Sequence, residues 1–493
     1  MNVLLLSMPD SSEHMPSLVV RMPNGALTSL AGNVDPHHKV AVADLIVVQR
    51  RVRETVERLV REFNPDVVGL SVMTFQRETA KKIIKLVRSL TTKARIVVGG
   101  YDPSLAPHAY TDVDFIVRGE GEITFRELLR AIENNSSYKG IAGLSFPSGD
   151  SFCHNDNRKV NTLESGEILP PNRNARVLSG YTMMGKGVDV IETSRGCTFD
   201  CSFCSIIEMR GRNFHTYSFD RVIADIRDAH ERGARAIFIV DDNITLNVKR
   251  FAALCQAIKT ARLNSIEYTV QAMTSSIADH GEELAPLMRE AGISYVFLGI
   301  ENILEKDLQF LRASSKNAMR ENGRRTGNAT MKAIDYIHRN NMYVVGGLIV
   351  GNPEDTRESI EANLEFAKRY IDWPYIQHPT PYPRTPMTKD FLDRGLIINE
   401  RLEEYDGTTA VVRTESLSAE EVEYMRWKAE RGIKSRHMPA AFLRDPLFIL
   451  RNMHRMFSHT YRGCTLTTFL GLEDDHAAFT RYRALRVTER AYL

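Results

Sequence analysis

No long apolar run interrupts this 493-residue chain, and no stretch approaches the ~20 apolar residues that cross a bilayer. The start, Met1-Asn-Val-Leu-Leu-Leu-Ser-Met-Pro9, lacks the basic opening and long apolar core of a secretory signal and reads as a buried strand. Cysteine is sparse. Cys153, Cys255 and Cys464 are scattered and the other three are clustered, which is not a disulfide framework. That usage fits a reducing compartment, so the expected location is the cytoplasm. Excess charge is also missing: the formal net charge of +2 makes no case for nucleic acid. There is no internal repeat and no low-complexity tract. What remains is an ordinary globular balance, 43% apolar and 26% charged, in a chain long enough for two or three domains.

Against this background one run stands out: Glu192-Thr-Ser-Arg-Gly-Cys-Thr-Phe-Asp-Cys-Ser-Phe-Cys204. Cys197, Cys201 and Cys204 form C-x3-C-x2-C directly after the apolar stretch Val188-Asp-Val-Ile191. Thiolates this close can converge on one soft metal centre. Three of them fill three corners of an iron–sulfur cube and leave one iron open. A zinc site wants a fourth ligand. His215 can supply one, although nothing in the spacing points to it, so the spacing alone leaves zinc open.

Around this run, two stretches alternate strand-like and helical patterns. In residues 1–140 the apolar runs are Val3–Ser7, Lys39–Ala43, Asp66–Val72, Ala94–Gly99 and Asp114–Arg118, with helical spacing in Arg50–Phe63 and Thr79–Leu90. This predicts a doubly wound, Rossmann-like α/β domain with a site at the carboxyl ends of its strands. The groups there are Ser71, Val72 and Thr74, then Gly99, Gly100 and Tyr101, then Gly119, Glu120 and Gly121. Residues 141–185, rich in Ser, Asn, Asp, Gly and Pro, read as a linker or small hairpin. Residues 186–386 hold six further βα units, a partial (β/α)6 barrel. Its strands are Val188–Glu192, Ala236–Val240, Tyr268–Ala272, Tyr295–Leu298, Tyr343–Val350 and Tyr375–His378. Residues 387–493 read as mainly helical.

The cysteine run, with Phe203 before its last thiol, resembles the signature of the radical S-adenosylmethionine (SAM) enzymes. The resemblance extends down the barrel. Asp241-Asp242-Asn243, which also suits a helix cap, looks like the segment that binds the methionyl amino group. Glu301, in Gly299-Ile-Glu-Asn302, looks like the ribose carboxylate. Gly347-Leu-Ile349-Val-Gly351-Asn-Pro-Glu354 matches the adenine-contacting G-x-I-x-G-x-x-E position for position. Gln271 can face the same cavity. Pro379-Thr-Pro-Tyr-Pro-Arg-Thr-Pro386 resembles a P-x-P-G-T-P run with Arg384 in place of glycine, which either meets an anion or braces the loop.

Residues 1–140 look like the cobalamin-binding domain that precedes many such barrels. The histidine motif D-x-H-x-x-G is absent. Asp35-Pro-His37 is its nearest approach, so His37 and His38 are expected to be loop residues and cobalt to lack a histidine ligand.

The resemblance implies a 4Fe–4S cluster on the three cysteines, SAM on the open iron, and cobalamin. It implies an electron donor such as flavodoxin or ferredoxin, and no catalytic acid or base. The expected reaction is methylation of an unactivated carbon in a small-molecule or lipid-like substrate. Two alternatives stay open: a cobalamin-dependent radical cyclase or rearrangement enzyme, and a zinc-stabilised cobalamin-sensing module. Within Arg426–Arg462, nine Lys/Arg stand against Glu430 and Asp445, interleaved with Phe442, Leu443, Leu447 and Phe448. That segment is either a solvated face or a surface for anionic lipid or an amphipathic substrate.

Overall fold

The computed structural model describes residues 1–11, 20–149, 151–159, 163–183, 185–321, 324–444, 446, 450, 457, 460–489 and 492–493. Two sheets organise the chain. The first has seven strands, in the spatial order Lys39–Asp44, Asn2–Ser7, Val67–Ser71, Arg95–Gly99, Phe115–Val117, Leu144–Ser148 and Ser151–His154. The first five are mutually parallel. Numbered along the chain, they run 2-1-3-4-5. That order reverses between Asn2–Ser7 and Val67–Ser71, and the crevice at such a reversal is where doubly wound sheets bind ligands. The strands are apolar on both faces because helices cover both: Val52–Phe63 and Arg77–Leu90 on one side, Gly25–Gly32 and Gly121–Glu133 on the other.

The second sheet has eight strands. Its six parallel members follow chain order: Lys186–Ile191, Ala236–Ile239, Glu267–Met273, Ile293–Glu301, Tyr343–Ile349 and Trp373–Gln377. These are the six strands expected, within a few residues at each end. The helices between them, such as Phe219–Glu231 and Val248–Thr260, bury one face against the sheet in a single large core. Helix Thr274–Glu290 carries Pro286 inside it. Two further strands pair antiparallel at the edge, Thr182–Met183 and Val20–Arg21, so a piece of the N-terminal region completes the barrel sheet.

The segment before the barrel is strapped down. Leu144–Ser148 and Ser151–His154 form a hairpin on the edge of the first sheet. Arg173 is buried and pairs with Asp189 on the first barrel strand and with Asp225 and Asp228 on the helix that follows. Arg176 adds a second pair to Asp189 and bridges to Val42 of the other sheet. Local sequence contains no sign of this, because each partner lies far along the chain. Described helices after the barrel are Pro386–Asp393, Ala419–Arg444, Leu466–Phe469 and Asp475–Glu489. No described helix is long and apolar enough to cross a membrane.

Candidate active site

The cysteine loop leaves strand Lys186–Ile191, makes a two-residue bridge of Ser194–Arg195 to His215–Thr216, and enters the short helix Ile206–Arg210. Its shape is imposed from outside. Gly196 has φ +91, and a Cβ there would lie 2.4 Å from the Asn213 carbonyl, so only glycine fits before Cys197. The Gly196 N–H donates to Asp242 Oδ2 at 2.8 Å. At the far end, Ser202 N–H donates to the Leu311 carbonyl at 3.0 Å and the Ser202 carbonyl accepts from Met387 N–H at 2.9 Å.

Cys201 is buried, while Cys197 and Cys204 keep some solvent contact. Burial raises the Cys201 thiol and pushes that of Cys204 up to about 12, so without a metal these thiols hold their protons. Among the described residues, the only three His, Cys, Asp or Glu ligand atoms lying within 4.8 Å of one another are those of His37, His38 and Glu133. Phe203 packs beside the loop, with Lys316 Nζ 5.7 Å from its ring centre.

Asp241, at the end of the second barrel strand, is fully buried. Its oxygens accept from Thr193 N–H at 2.6 Å, Thr193 Oγ1 at 2.5 Å and Ser194 Oγ at 2.6 Å. Burial raises its carboxyl to about 6. This corrects the expectation for Asp241: its carboxylate holds the strand that leads into the cysteine loop and is not free for an ammonium. Asp242 does face the cavity, beside Arg210 at 3.3 Å. Asn243 accepts from Thr245 Oγ1 at 3.0 Å, and Gln271 donates to the Asp241 carbonyl at 3.2 Å.

Glu301 sits at a register break in its strand, with φ +60, unusual for a residue with a side chain. Its carboxylate forms an ion pair with Lys316, and both side chains are largely buried. Burial disfavours the Lys316 ammonium, but Glu301 and the neighbouring thiols hold it above the usual lysine range. Asn302 instead ties strand ends together, donating to the Ile349 carbonyl at 3.1 Å. Ile349 is buried beneath the turn. Gly351 has φ +98, and a Cβ there would lie 2.9 Å from Val422. Asp355 closes that turn, accepting from Gly351 and Asn352 N–H at 2.8 Å each, whereas Glu354 is exposed and faces Arg394 at 3.6 Å. Arg384 is exposed with φ +68, which explains why a glycine suits that position in the motif.

A cavity of about 430 Å³ lies between the two sheets. Ser71, Val72, Gly99, Gly100, Tyr101, Gly119, Glu120 and Gly121 line it from one side. Glu192, Arg195, Met209, Arg210, Tyr217 and Asp242 line it from the other. Thr74 is the exception: it is buried at the start of a short helical turn and does not reach the cavity. Asn24 and Gly25, which line it too, escaped sequence reading because no motif marks them.

Gly100 has φ +102, and its Cβ would meet the Val72 carbonyl at 2.8 Å. Gly119, at φ +76, has open space in front of it. Both Glu120 oxygens are buried without a hydrogen-bond partner, between Arg195 at 3.6 Å and Arg210 at 3.7 Å, and burial raises the carboxyl. A buried carboxylate that accepts no hydrogen bond and open glycine backbone on the cavity wall suit a large ligand that brings its own amide donors, as a corrin does. His37 and His38 lie at the opposite, amino end of the same sheet, so they are not cobalt ligands.

Residues 191–367 match the family model of the radical SAM superfamily, and residues 19–129 match that of the B12 binding domain. The chain carries a radical SAM domain with a B12-binding domain on its N-terminal side, and its relatives include methyltransferases and cyclases. Proteins of this class use a 4Fe–4S cluster, SAM and cobalamin. The chain is 28% identical over 436 residues to an uncharacterized methyltransferase of Pyrococcus horikoshii, covering 87% of this chain and 91% of that one. It is 24% identical over 413 residues to the anaerobic magnesium-protoporphyrin IX monomethyl ester cyclase of Cereibacter sphaeroides, covering 81% of this chain and 63% of that one. Its fold is similar to that of the radical SAM methyltransferase TsrM from Kitasatospora setae, solved with cobalamin and a [4Fe-4S] cluster bound. The TM-score is 0.65 at 20% identity, covering 81% of this chain and 79% of that one.

Proposed function

We propose that this enzyme methylates an unactivated carbon of a small or lipid-like molecule. The observation that carries the reading is the shared cavity: the strand ends of the B12-binding domain and the residues flanking the cysteine loop, Arg195 before it and Met209 and Arg210 after it, line one space. When bound, the cluster reduces SAM to a hydrogen-abstracting 5′-deoxyadenosyl radical, and the corrin supplies the methyl group.

The chain's own residues bind and orient. Cys197, Cys201 and Cys204 hold three irons, and Phe203 shields them. Asp242 and Asn243 face the methionyl end, Glu301 takes the ribose hydroxyls, and Ile349 and Gly351 flank the adenine. Gln271, which donates to the Asp241 carbonyl, holds the strand end beside them. Ser71, Val72, Gly99 to Tyr101 and Gly119 to Gly121 receive the corrin, with Glu120 accepting from an amide. Tyr101, Arg195 and Tyr217 exclude water from the wall of the cavity. An electron donor such as flavodoxin or ferredoxin serves the cluster.

The lipid-like end of the substrate range rests on the basic C-terminal segment, of which residues 445, 447–449, 451–456 and 458–459 lie outside the described residues. Of its described basic side chains, Arg426 pairs with Glu430, and Lys428 and Arg431 pair with Asp475, so these three are engaged within the protein. Membrane contact therefore finds no support in them.

Similarity to the cyclase favours one second reading, in which the radical is used for ring closure without methyl transfer. Incubation of anaerobically reconstituted protein with methyl-labelled SAM and cobalamin separates the two. Methyl transfer predicts label on the corrin together with 5′-deoxyadenosine. Deoxyadenosine with an unlabelled corrin supports the cyclase reading, and protein that takes up zinc in place of iron removes both.

A further inference from the structure

At the end of the N-terminal sheet farthest from the cavity, the two histidines set aside above meet a carboxylate. His37 and His38 close the loop before strand Lys39–Asp44, and Glu133 is the last residue of helix Gly121–Glu133. The strand is six residues long, so this cluster lies roughly 20 Å from the cavity mouth at ~3.3 Å per residue. His37 Nε2 lies 3.0 Å from each Glu133 oxygen, and His38 Nε2 lies 3.8 Å from Glu133 Oε2. The three ligand atoms are all within 4.8 Å of one another.

The second observation concerns His38 alone. Its side chain is fully buried, its Nδ1 is engaged 3.1 Å from the Met1 amino group, and its Nε2 has no hydrogen-bond partner. A buried ring nitrogen left unpaired is costly, and this one is aimed at the cluster; a metal there takes the Nε2 lone pair, which puts the ring proton on Nδ1 and requires the Met1 amine to accept it uncharged. Asp35, the other carboxylate nearby, is held by both arms of Arg130 at 2.6 and 2.7 Å and is not available.

We propose that His37, His38 and Glu133 form a second metal site, for Zn2+ or a similar borderline divalent ion, separate from the cysteine loop. Two imidazoles and one carboxylate are a zinc-type donor set. Ligand bonds of ~2.0–2.1 Å at tetrahedral angles place ligand atoms roughly 3.3–3.5 Å apart. The observed 3.0 and 3.8 Å lie on either side of that spacing. The His37 side chain is 57% exposed, which leaves room for water in the fourth position. A metal here clips the end of helix Gly121–Glu133 to the loop entering strand Lys39–Asp44. It stabilises the fold by mass action and takes no part in the chemistry at the cavity.

The test uses protein with its iron–sulfur cluster already built, so that the cysteines are filled, and Co2+ and Zn2+ as the probes. The expected result is uptake of a single Co2+ per chain with the visible bands of a tetrahedral ion and no thiolate charge-transfer band. Zn2+ should raise the melting temperature. Both effects should vanish in His37→Ala and Glu133→Gln, which sit at the surface and leave the core untouched, and both should persist in Cys197→Ala/Cys201→Ala/Cys204→Ala. No saturable uptake by the parent protein overturns the proposal. So does uptake that survives the His37 and Glu133 changes, or that disappears with the cysteines. None of these outcomes bears on the radical chemistry.

Discussion

Arg195 Nη2 donates to Glu122 Oε1 at 2.6 Å, and both side chains are buried. Arg195 stands two residues before the first cluster cysteine. Glu122 closes the Arg118-Gly-Glu-Gly-Glu122 run of the B12-binding domain. The pair joins the cysteine loop directly to the wall of the cavity, with Ser29 Oγ adding a bond to the same Glu122 oxygen at 2.8 Å. Burial works against the Glu122 charge, yet Arg195 and Ser29 hold its carboxyl down to about 2.

This pair has a predictable acid response. A carboxyl depressed from its ordinary 4.5 to about 2 contributes stability that is complete above pH ~4.5 and is lost as the pH falls towards 2. Arg195→Met leaves Glu122 buried without its partner and should cost about 3–5 kcal/mol at neutral pH. Glu122→Gln with Arg195→Met should recover much of that. Urea melts from pH 3 to 7 measure both effects, and an unchanged pH profile in Arg195→Met would show that the pair is not coupled.

Asp241 should respond with the opposite sign. Its folded carboxyl is raised to about 6 from 3.8, so its contribution is greatest below pH ~4 and fades as the pH rises through 6. Asp241→Asn should flatten stability across that window. It should also loosen the cysteine loop, because one amide oxygen cannot accept from Thr193 and Ser194 as two carboxylate oxygens do. Iron content per chain after reconstitution is the second readout, and it should fall.

Cys197→Ala, Cys201→Ala and Cys204→Ala should each abolish the iron–sulfur absorbance. Cys153→Ser, Cys255→Ala and Cys464→Ser should leave it intact, since these thiols are remote from the loop in sequence and Cys255 is buried in the core of helix Val248–Thr260. A cluster that needs the second set and tolerates loss of the first would sink the assignment.

Glu301→Gln has two effects to separate. It should weaken SAM binding by removing a charged acceptor for the ribose hydroxyls. It also leaves Lys316 buried and unpaired, a destabilisation of about 3–5 kcal/mol. Lys316→Met in the same chain should restore the melting temperature without restoring SAM affinity. If affinity returns with stability, Glu301 acts only through the fold.

Glycine variants distinguish ligand approach from backbone packing. Gly100→Val collides with the Val72 backbone and should unfold the domain whether or not corrin binds. Gly119→Ala meets nothing and carries only the strain of φ +76, so a loss of corrin there reports on the cavity itself. His37→Ala and His38→Ala should leave the cobalamin spectrum unchanged. Nitrogen hyperfine splitting from histidine in the cobalt(II) resonance would refute the absence of a histidine ligand.

Much of this molecule is determined locally and could be read in order along the chain. Short continuous apolar runs alternating with helical spacing point to parallel strands in both sheets, because a strand buried on both faces needs helices on both sides. Cys197, Cys201 and Cys204 fall within eight residues, so the proposal that they share one metal centre needs no knowledge of the fold.

Tertiary structure decided how the charges are used. Asp241 and Asp242 are adjacent and chemically alike, yet one is spent inside the barrel and the other faces the cavity. Thr74 and Ser71 stand three residues apart, and only Ser71 lines the cavity. Arg195, Arg210 and Lys316 are ordinary surface residue types that burial turned into partners of Glu122, Glu120 and Glu301, between 15 and 90 positions away. A charge has no periodicity, and its partner is chosen by whatever the fold brings within hydrogen-bond reach.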